Sequence, residues 1–121
     1  MKPLTKAEEQ IMQAVWSLED GGMLKDIVDA MPEPKPHHNT VATLLKILTE
    51  KKYIGIKSIG RFHHYFPRVA KDEFTNMALS GLTQGYFEGS YQDVVSFLVD
   101  KKKISVQDLE LLLKQIKTGK K

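Results

Sequence analysis

The apolar residues of this chain change their spacing at Tyr53. Before it they recur every three or four residues in three segments, which is the spacing of one face of a helix. After it they alternate with polar residues or glycine as far as Phe66, and the dipeptide Gly60-Arg61 interrupts the alternation. Alternation broken by a two-residue turn containing glycine predicts a β-hairpin. The chain must therefore pack three helical segments with one hairpin.

The boundaries of the three segments can be predicted from their ends. Thr5 and Glu8 have the spacing of a capping box, which predicts a helix over residues 6–18. A shorter helix follows within residues 23–31, and prolines at every second position from 32 to 36 then end it. A third helix is predicted from His38 or Asn39 to about Lys51. Three helices and a hairpin in this order predict a winged helix-turn-helix.

Basic residues are concentrated in the third helix and the hairpin. Residues 35–71 hold eight Lys and Arg against one carboxylate, an excess of seven. The residues before this stretch hold three Lys against seven carboxylates, and those after it hold seven of each. The net charge of the whole chain is only +3. A local excess of positive charge on one helix and one hairpin indicates a nucleic-acid-binding surface.

The remaining residues are predicted to form three more helices, and we divide the chain into a DNA-binding domain at 1–70 and a helical dimerisation domain at 71–121. The fold class is then mainly α with a small β-hairpin. The last three helices carry more apolar surface than the first domain can cover, which favours a two-fold homodimer over one larger monomeric core. The predicted dimerisation residues are Phe74, Leu82, Phe87, Phe97, Leu109, Leu112, Leu113 and Ile116.

Several functional classes are disfavoured by what the sequence lacks. It has no cysteine, so disulfides and thiolate metal sites are excluded. It has no glycine-rich phosphate loop, nucleophile elbow or metal-spaced cluster of ligands, so we expect neither an enzyme nor a cofactor. No apolar run approaches the roughly 20 residues that cross a bilayer, and no hydrophobic segment opens the chain. We therefore expect a cytoplasmic protein without membrane insertion.

The predicted DNA contacts lie on the third helix and on the hairpin. Threonine offers a hydroxyl to a base edge or phosphate and a methyl group to thymine, and an arginine on a turn can enter the minor groove. Two assignments stay open: Asn39 can contact a base or, more simply, cap the helix, and Tyr65 can contact phosphate or belong to the core. The predicted DNA-binding residues are Asn39, Thr40, Ala42, Thr43, Lys46, Lys57, Arg61, His63 and Tyr65.

Two histidine pairs raise the question of a metal site. His63 and His64 are adjacent in a predicted strand, so their side chains point to opposite faces and the pair supplies one ligand at most. No carboxylate or thiol stands beside this pair or beside His37-His38. We therefore predict no metal, and a partly protonated imidazole near DNA is an adequate phosphate donor.

Three segments resemble the BlaI/MecI penicillinase-repressor family. They are LTKAEEQIMQAVW, NTVATLLKILTEKKYI and GRFHHYFPRV, in that order, and the tail ISVQDLELLLKQIK is similar to the last dimerisation helix of the family. The resemblance implies a dimeric winged-helix repressor on a dyad operator of double-stranded DNA, upstream of β-lactamase or related antibiotic-response genes.

The resemblance also implies a mode of release. Release in such systems follows cleavage of the repressor after a membrane sensor-protease detects the antibiotic. Some family members are cut at an Asn-Phe bond in the penultimate helix, and this chain has Phe97-Leu98 at the corresponding position. An alternative function of a different class is a winged-helix module for protein–protein assembly that does not bind DNA. It predicts no salt-dependent binding to duplex DNA and no effect of Arg61→Ala.

Overall fold

The predicted fold class is confirmed by a computed structural model, which describes residues 3–119. That part of the chain contains six helices and one antiparallel hairpin, as in a winged helix. In chain order they are α1 (Lys6–Ser17), α2 (Leu24–Asp29), α3 (His38–Glu50), β1 (Ile54–Ile59), β2 (Phe62–Pro67), α4 (Lys71–Phe87), α5 (Tyr91–Asp100) and α6 (Val106–Lys117).

The chain forms two compact units, one that ends at Phe74 and one that begins at Thr75. The predicted domains also include residues 1–2 and 120–121, which lie outside the described residues. Within residues 3–119, no helix is both long enough and apolar enough to cross a membrane.

The first unit has a closed apolar core to which α1, α2, α3 and β1 all contribute. Each of the three helices gives it the face that its sequence spacing predicted, and Tyr53 and Ile54 extend it to the base of the hairpin. The ring of Trp16 lies on the side of this core, where its Nε1–H donates to the Val69 carbonyl at 2.9 Å. Because one face of α3 is buried in this core, the rotation of α3 about its own axis is fixed.

A charged contact joins the start of α1 to the end of α3. The capping box of α1 is present, with the Glu8 amide donating to Thr5 Oγ1 at 3.2 Å and the Thr5 amide donating to Glu8 Oε1 at 2.8 Å. Lys51 Nζ, at the end of α3, donates to the same Glu8 oxygen at 2.7 Å. Glu8 is buried, so this ion pair holds the end of α3 against the start of α1.

The hairpin is attached to the core by a third short segment of chain. β1 and β2 pair from Ile54 opposite Pro67 to Ile59 opposite Phe62, which leaves Gly60-Arg61 as the turn. Gly60 has a φ of +61°, and a left-handed residue at the first turn position is what a type II′ turn requires. On the other edge of β2, Gly22 and Tyr65 exchange two backbone hydrogen bonds of 2.9 and 2.8 Å. The hairpin, which is the wing of the winged helix, is therefore tied to the preceding loop by an isolated β-bridge beside its two-stranded sheet.

The second unit differs from the first because it has no closed core of its own. Thr83 is the one buried residue between Thr75 and Gly119. The α4–α5 pair is held by an edge-to-face contact between Phe87 and Phe97, whose ring centroids lie 5.5 Å apart, and by a 3.1 Å hydrogen bond between the hydroxyls of Ser80 and Tyr91. The apolar side chains of this unit are otherwise exposed or half-buried.

Candidate nucleic-acid interface

One row of side chains on α3 faces solvent because the opposite row is buried. Val41, Leu45 and Leu48 are completely buried. Asn39, Thr43 and Lys46 follow one another at intervals of four and three residues, and all are exposed. This spacing places them one above another on the same side of the helix. The structure thus brings three of the predicted DNA contacts into one exposed row.

The start of α3 corrects one predicted role. The N-cap is His37, which makes no capping hydrogen bond through its side chain, and Asn39 already lies inside the helix. The proposed capping role of Asn39 is therefore wrong. The first turn of α3 carries no acidic residue. Nothing there opposes the partial positive charge of the helix start, which suits the approach of an anion.

The hydroxyl of Thr43 is already engaged within the helix. Thr43 Oγ1 donates to the Asn39 carbonyl at 3.0 Å, as threonine commonly does in helices. The hydroxyl hydrogen is therefore occupied, and the hydrogen bond fixes the side-chain rotamer. What remains for a partner is the methyl group and the lone pairs of the oxygen. The geometry suits contact with an apolar group such as a thymine methyl.

Thr40 and Ala42 lie to either side of the exposed row. Thr40 is exposed, but it borders a surface cleft whose other wall includes prolines 32, 34 and 36 of the connector. Ala42 is half-buried on the other side. The structure places these two predicted contacts at the edges of the α3 surface, away from its centre.

The hairpin separates two residues that were predicted to act together. Lys57 lies opposite His64, and Ser58 lies opposite His63. Directly opposed residues share a face and neighbours along a strand alternate, so Lys57 and His63 project from opposite faces. Both are exposed, as is Arg61 in the turn. One face of the wing can therefore present either Lys57 or His63 beside Arg61, but not both.

Tyr65 has a structural role in the first unit. Its ring is half-buried and packs against the core, and its backbone pairs with Gly22. The ring centroid of His63 lies 6.3 Å from that of Tyr65 in an edge-on arrangement. Of the two roles left open for Tyr65, the structure supports the core role.

Gly21, Gly22 and His64 are needed to hold the wing, and sequence reasoning assigned them no such role. A Cβ added to Gly21 would lie 2.0 Å from the Tyr65 carbonyl oxygen, and Gly21 also has a φ of +77°. His64 Nε2 lies 2.7 Å from the Asp20 carbonyl oxygen. Gly21 and Gly22 form a Gly-Gly pair in the segment between α1 and α2. Its tolerance of close backbone approach was the signal that could have revealed a strand contact.

A groove of about 450 Å³ separates the start of α3 from the wing. Lys25 and His38 line one side of it, and neither is among the DNA-binding residues predicted from the sequence. Cationic and aromatic side chains line the groove together, and within residues 3–119 no Asp or Glu contributes to its lining. Its lining residues are Met23, Leu24, Lys25, His38, Arg61, Phe62, His63 and Tyr65.

The histidine pairs do not converge on a ligand cluster. His63 and His64 lie on opposite faces of β2. In the part of the chain from 3 to 119, no group of three or more His, Asp or Glu side chains is arranged to hold a metal ion.

Most of the predicted dimerisation residues are available for contact with a partner. The side chains of Leu82, Phe97, Leu112, Leu113 and Ile116 are between 44% and 60% exposed, whereas Phe87 and Leu109 are half-buried. Phe74 belongs to the first unit, where its ring centroid lies 5.5 Å from that of Trp16 and 6.1 Å from that of Tyr53. Phe74 packs against the core of its own first unit, so it does not belong to the exposed apolar surface of the second unit.

The candidate cleavage bond between Phe97 and Leu98 lies in the last turn of α5. The Phe97 carbonyl accepts from the Lys101 amide at 2.9 Å, and the Leu98 carbonyl accepts from the Lys103 amide at 2.8 Å. Lys101 Nζ also lies 5.7 Å from the centre of the Phe97 ring. The bond is helical in this structure, so a protease that binds extended chain must first unwind this turn.

Comparison with known families gives a match over nearly the whole chain. The family model described as "penicillinase repressor" matches residues 4–118 of the 121-residue chain. A comparison with curated proteins returned no match. The matched region includes α3, the wing and all three C-terminal helices.

Proposed function

The chain belongs to the penicillinase repressor family, and from this membership we propose that it represses transcription as a homodimer on a dyad operator in double-stranded DNA. The family consists of regulatory repressors and not of enzymes. In this proposal α3 enters the major groove and the wing contacts the neighbouring minor groove. A protein with this function works where the DNA is held, which we take to be the cytoplasm.

The observation that carries the DNA-binding proposal is the exposed row on α3 beside an anchored wing. Thr43 and Lys46 are exposed because the other side of their helix is buried in the core. The wing that carries Arg61 is paired to Gly22 of the same unit. Both groups of contacts therefore belong to the same compact unit, so contact with DNA requires ordering of the exposed side chains but not of the backbone that carries them.

The proposal of a homodimer depends on the missing core of the second unit. A helical unit with no buried apolar side chain between residues 75 and 119 has too little apolar burial to be stable alone. Leu82, Phe87, Phe97 and Leu98 line an apolar groove of about 540 Å³ between α4 and α5. The exposed stripe Leu112, Leu113 and Ile116 of a second copy has the chemistry to cover it. A two-fold dimer then presents two α3 helices to a palindromic site.

We propose β-lactamase or related antibiotic-response genes as targets, and release through a membrane sensor-protease that cuts near Phe97-Leu98. Support for both comes from family membership. The helical state of this bond in α5 adds one requirement, which is local unwinding before cleavage.

Fluorescence anisotropy with DNA from upstream of the gene itself tests the central proposal. We expect saturable binding by a dimer whose log affinity falls with log salt at a slope of about −7, because neutralising about four phosphates per subunit releases that many counterions. A scrambled duplex of the same length is the control. Absence of salt-dependent binding to both duplexes would instead favour an assembly module that does not bind DNA.

A further inference from the structure

The tip of the wing carries two large apolar side chains that the fold leaves uncovered. Phe62 is 62% exposed and Ile59 is 48% exposed. They are opposed in the register of the hairpin and so lie side by side on one face, directly before and after the Gly60-Arg61 turn. A hairpin tip could easily carry polar residues here, because no packing within the described chain requires these two side chains to be apolar.

We infer that Phe62 and Ile59 form an apolar wedge that packs against the deoxyribose walls of the DNA minor groove while Arg61 extends along the groove floor. The inference rests on the proposed DNA-binding function and adds to it a contact that depends on apolar surface. Proteins that enter the minor groove commonly combine a basic side chain with an apolar one in this way.

Charge identifies the occupant of this surface as nucleic acid. Residues 54–67 contain Lys57 and Arg61 and no Asp or Glu. Phe62 and Arg61 also line the groove that leads to Lys25 and His38, so the apolar tip is continuous with the basic side of the unit. Sugar edges next to phosphates present the matching combination of apolar and anionic groups.

The size of the apolar surface also favours DNA over a second protein. Two side chains at these exposures present on the order of 200 Å². A stable protein interface buries about 800 Å² on each partner. One or two deoxyribose rings are enough to cover a Phe and an Ile.

The wing is held firmly enough to insert such a wedge. The backbone of Tyr65 is paired with Gly22, and His64 Nε2 lies within hydrogen-bond distance of the Asp20 carbonyl. These attachments lie three and two residues from Phe62. The tip therefore projects from a fixed base, which limits the entropy lost when it enters a groove.

Three 30-base-pair duplexes of alternating A·T, G·C or I·C pairs test the inference without knowledge of the operator. I·C pairs share the major groove of G·C pairs but lack the guanine amino group in the minor groove, where they resemble A·T pairs. A wedge in the minor groove should make the wild-type protein bind the A·T and I·C duplexes more tightly than the G·C duplex.

Four variants separate the wedge from other effects. Phe62→Ala should weaken binding to the A·T duplex roughly tenfold and remove the preference over G·C, with an unchanged salt slope, because apolar contact releases no counterions. Phe62→Leu should restore most of the affinity. Arg61→Ala should reduce the salt slope. Ile56→Ala is the matched control, since Ile56 is 40% exposed on the opposite face of the same hairpin.

The outcomes distinguish failure of the wedge from failure of the function. The wedge would be overturned if Phe62→Ala kept the wild-type affinity for the A·T duplex and the preference over the G·C duplex. It would also be overturned if Ile56→Ala lost as much affinity as Phe62→Ala. A wild-type protein that binds none of the three duplexes in a salt-dependent way would overturn the proposed function itself. Circular dichroism of each variant confirms that the fold is retained, which the exposure of Phe62 leads us to expect.

Discussion

Thr43 and Arg61 should contribute to DNA affinity through different physical terms. The Thr43 hydroxyl donates to the Asn39 carbonyl, which leaves its methyl group and the oxygen lone pairs for a partner. Of these two we propose the methyl group as the contact. The exposed Arg61 guanidinium can replace a counterion on DNA. An apolar contact and a charge contact respond differently to salt, so substitution at each position predicts its own pattern of loss.

At Thr43 we expect Thr43→Val to bind operator DNA almost as the wild type does, because valine keeps a methyl group in the same place. Thr43→Ser should lose about fourfold in affinity per subunit, the value of one buried methyl group. Titrations at a single salt concentration measure both. If serine binds normally and valine does not, then the hydroxyl is the reading group.

At Arg61 we expect Arg61→Ala to make the salt slope of a dimer shallower by about two, because each subunit loses one cation that replaces a counterion on the DNA. Anisotropy at four or more salt concentrations measures the slope. Lys25 lines the same groove as Arg61, so Lys25→Ala shows whether a neighbouring lysine contributes equally to the salt slope. A slope identical to the wild type would remove Arg61 from the interface.

At the scale of elements, the β-bridge between Gly22 and Tyr65 depends on Gly21 lying against β2. Gly21→Ala places a Cβ on the Tyr65 carbonyl oxygen and strains a backbone with a φ of +77°. We expect a loss of roughly 2–4 kcal/mol in the free energy of unfolding, measured by urea denaturation. Gly60→Ala is the control, because Gly60 also has a positive φ but has no atom within 4 Å of an added Cβ. It should cost only about 1–2 kcal/mol. Equal losses would mean that the close approach at Gly21 is unimportant.

The contact between α1 and α3 should make stability depend on acid pH. Burial raises the pKa of Glu8, but hydrogen bonds from Lys51 and the Thr5 amide and the Lys51 charge together hold it below its usual value of 4.5. A depressed pKa gives stability that is full above the usual value and is lost as pH falls through the lower, folded-state value.

Denaturation of Glu8→Gln across pH 2–7 tests this dependence. Near neutral pH the variant should be less stable than the wild type by roughly 1–3 kcal/mol, because Lys51 loses a charged partner. Below pH 4.5 the difference should shrink. Glu9→Gln, one residue away and exposed, is the matched control. A difference that is constant with pH would exclude the linkage.

At the scale of the whole molecule, the exposed stripe on α6 should determine the oligomeric state. Leu112→Glu adds a charge to a side chain that is 46% exposed in the single chain. We expect its dimer dissociation constant to rise at least tenfold, which corresponds to about 1.4 kcal/mol. Sedimentation over a range of concentrations measures it, and the concentration dependence of Tm should weaken in parallel.

Gln107→Glu adds the same charge to the exposed face of α6 that carries Lys114, and it should leave the dimer intact. If both variants dissociate, the effect comes from charge alone. If neither does, another surface joins the subunits.

Short-range patterns predicted much of the first unit, while contacts between distant residues did not follow from them. The capping box at Thr5, the buried row on α3 and the two-residue turn at Gly60-Arg61 each depend on residues within one or two turns of chain. The Glu8–Lys51 pair joins positions 43 residues apart, and the Gly22–Tyr65 pairing is too short to produce an alternating pattern. Side-chain type gave a wrong prediction of the N-cap of α3. Asn is a better N-cap than His, yet His37 occupies that position.

Some of the interface could have been predicted more closely. A two-residue turn fixes the register of the hairpin, so the placement of Lys57 and His63 on opposite faces was already implied by the sequence. The exposure of Phe62 was not implied, since a strand aromatic is more often half-buried. Only the position of the neighbouring segments shows that residues 3–119 leave Phe62 62% exposed.

The attachment of the wing has an evolutionary consequence. Gly22 and Tyr65 hold the wing through main-chain hydrogen bonds. At position 65, any residue other than proline has the main-chain groups to form them. Mutations at the tip can accumulate without detaching the hairpin, and they would change which DNA a descendant of this repressor prefers. Mutations at Gly21 have no such freedom. Lineages should therefore diversify in target choice at the turn while the glycine that supports it stays the same.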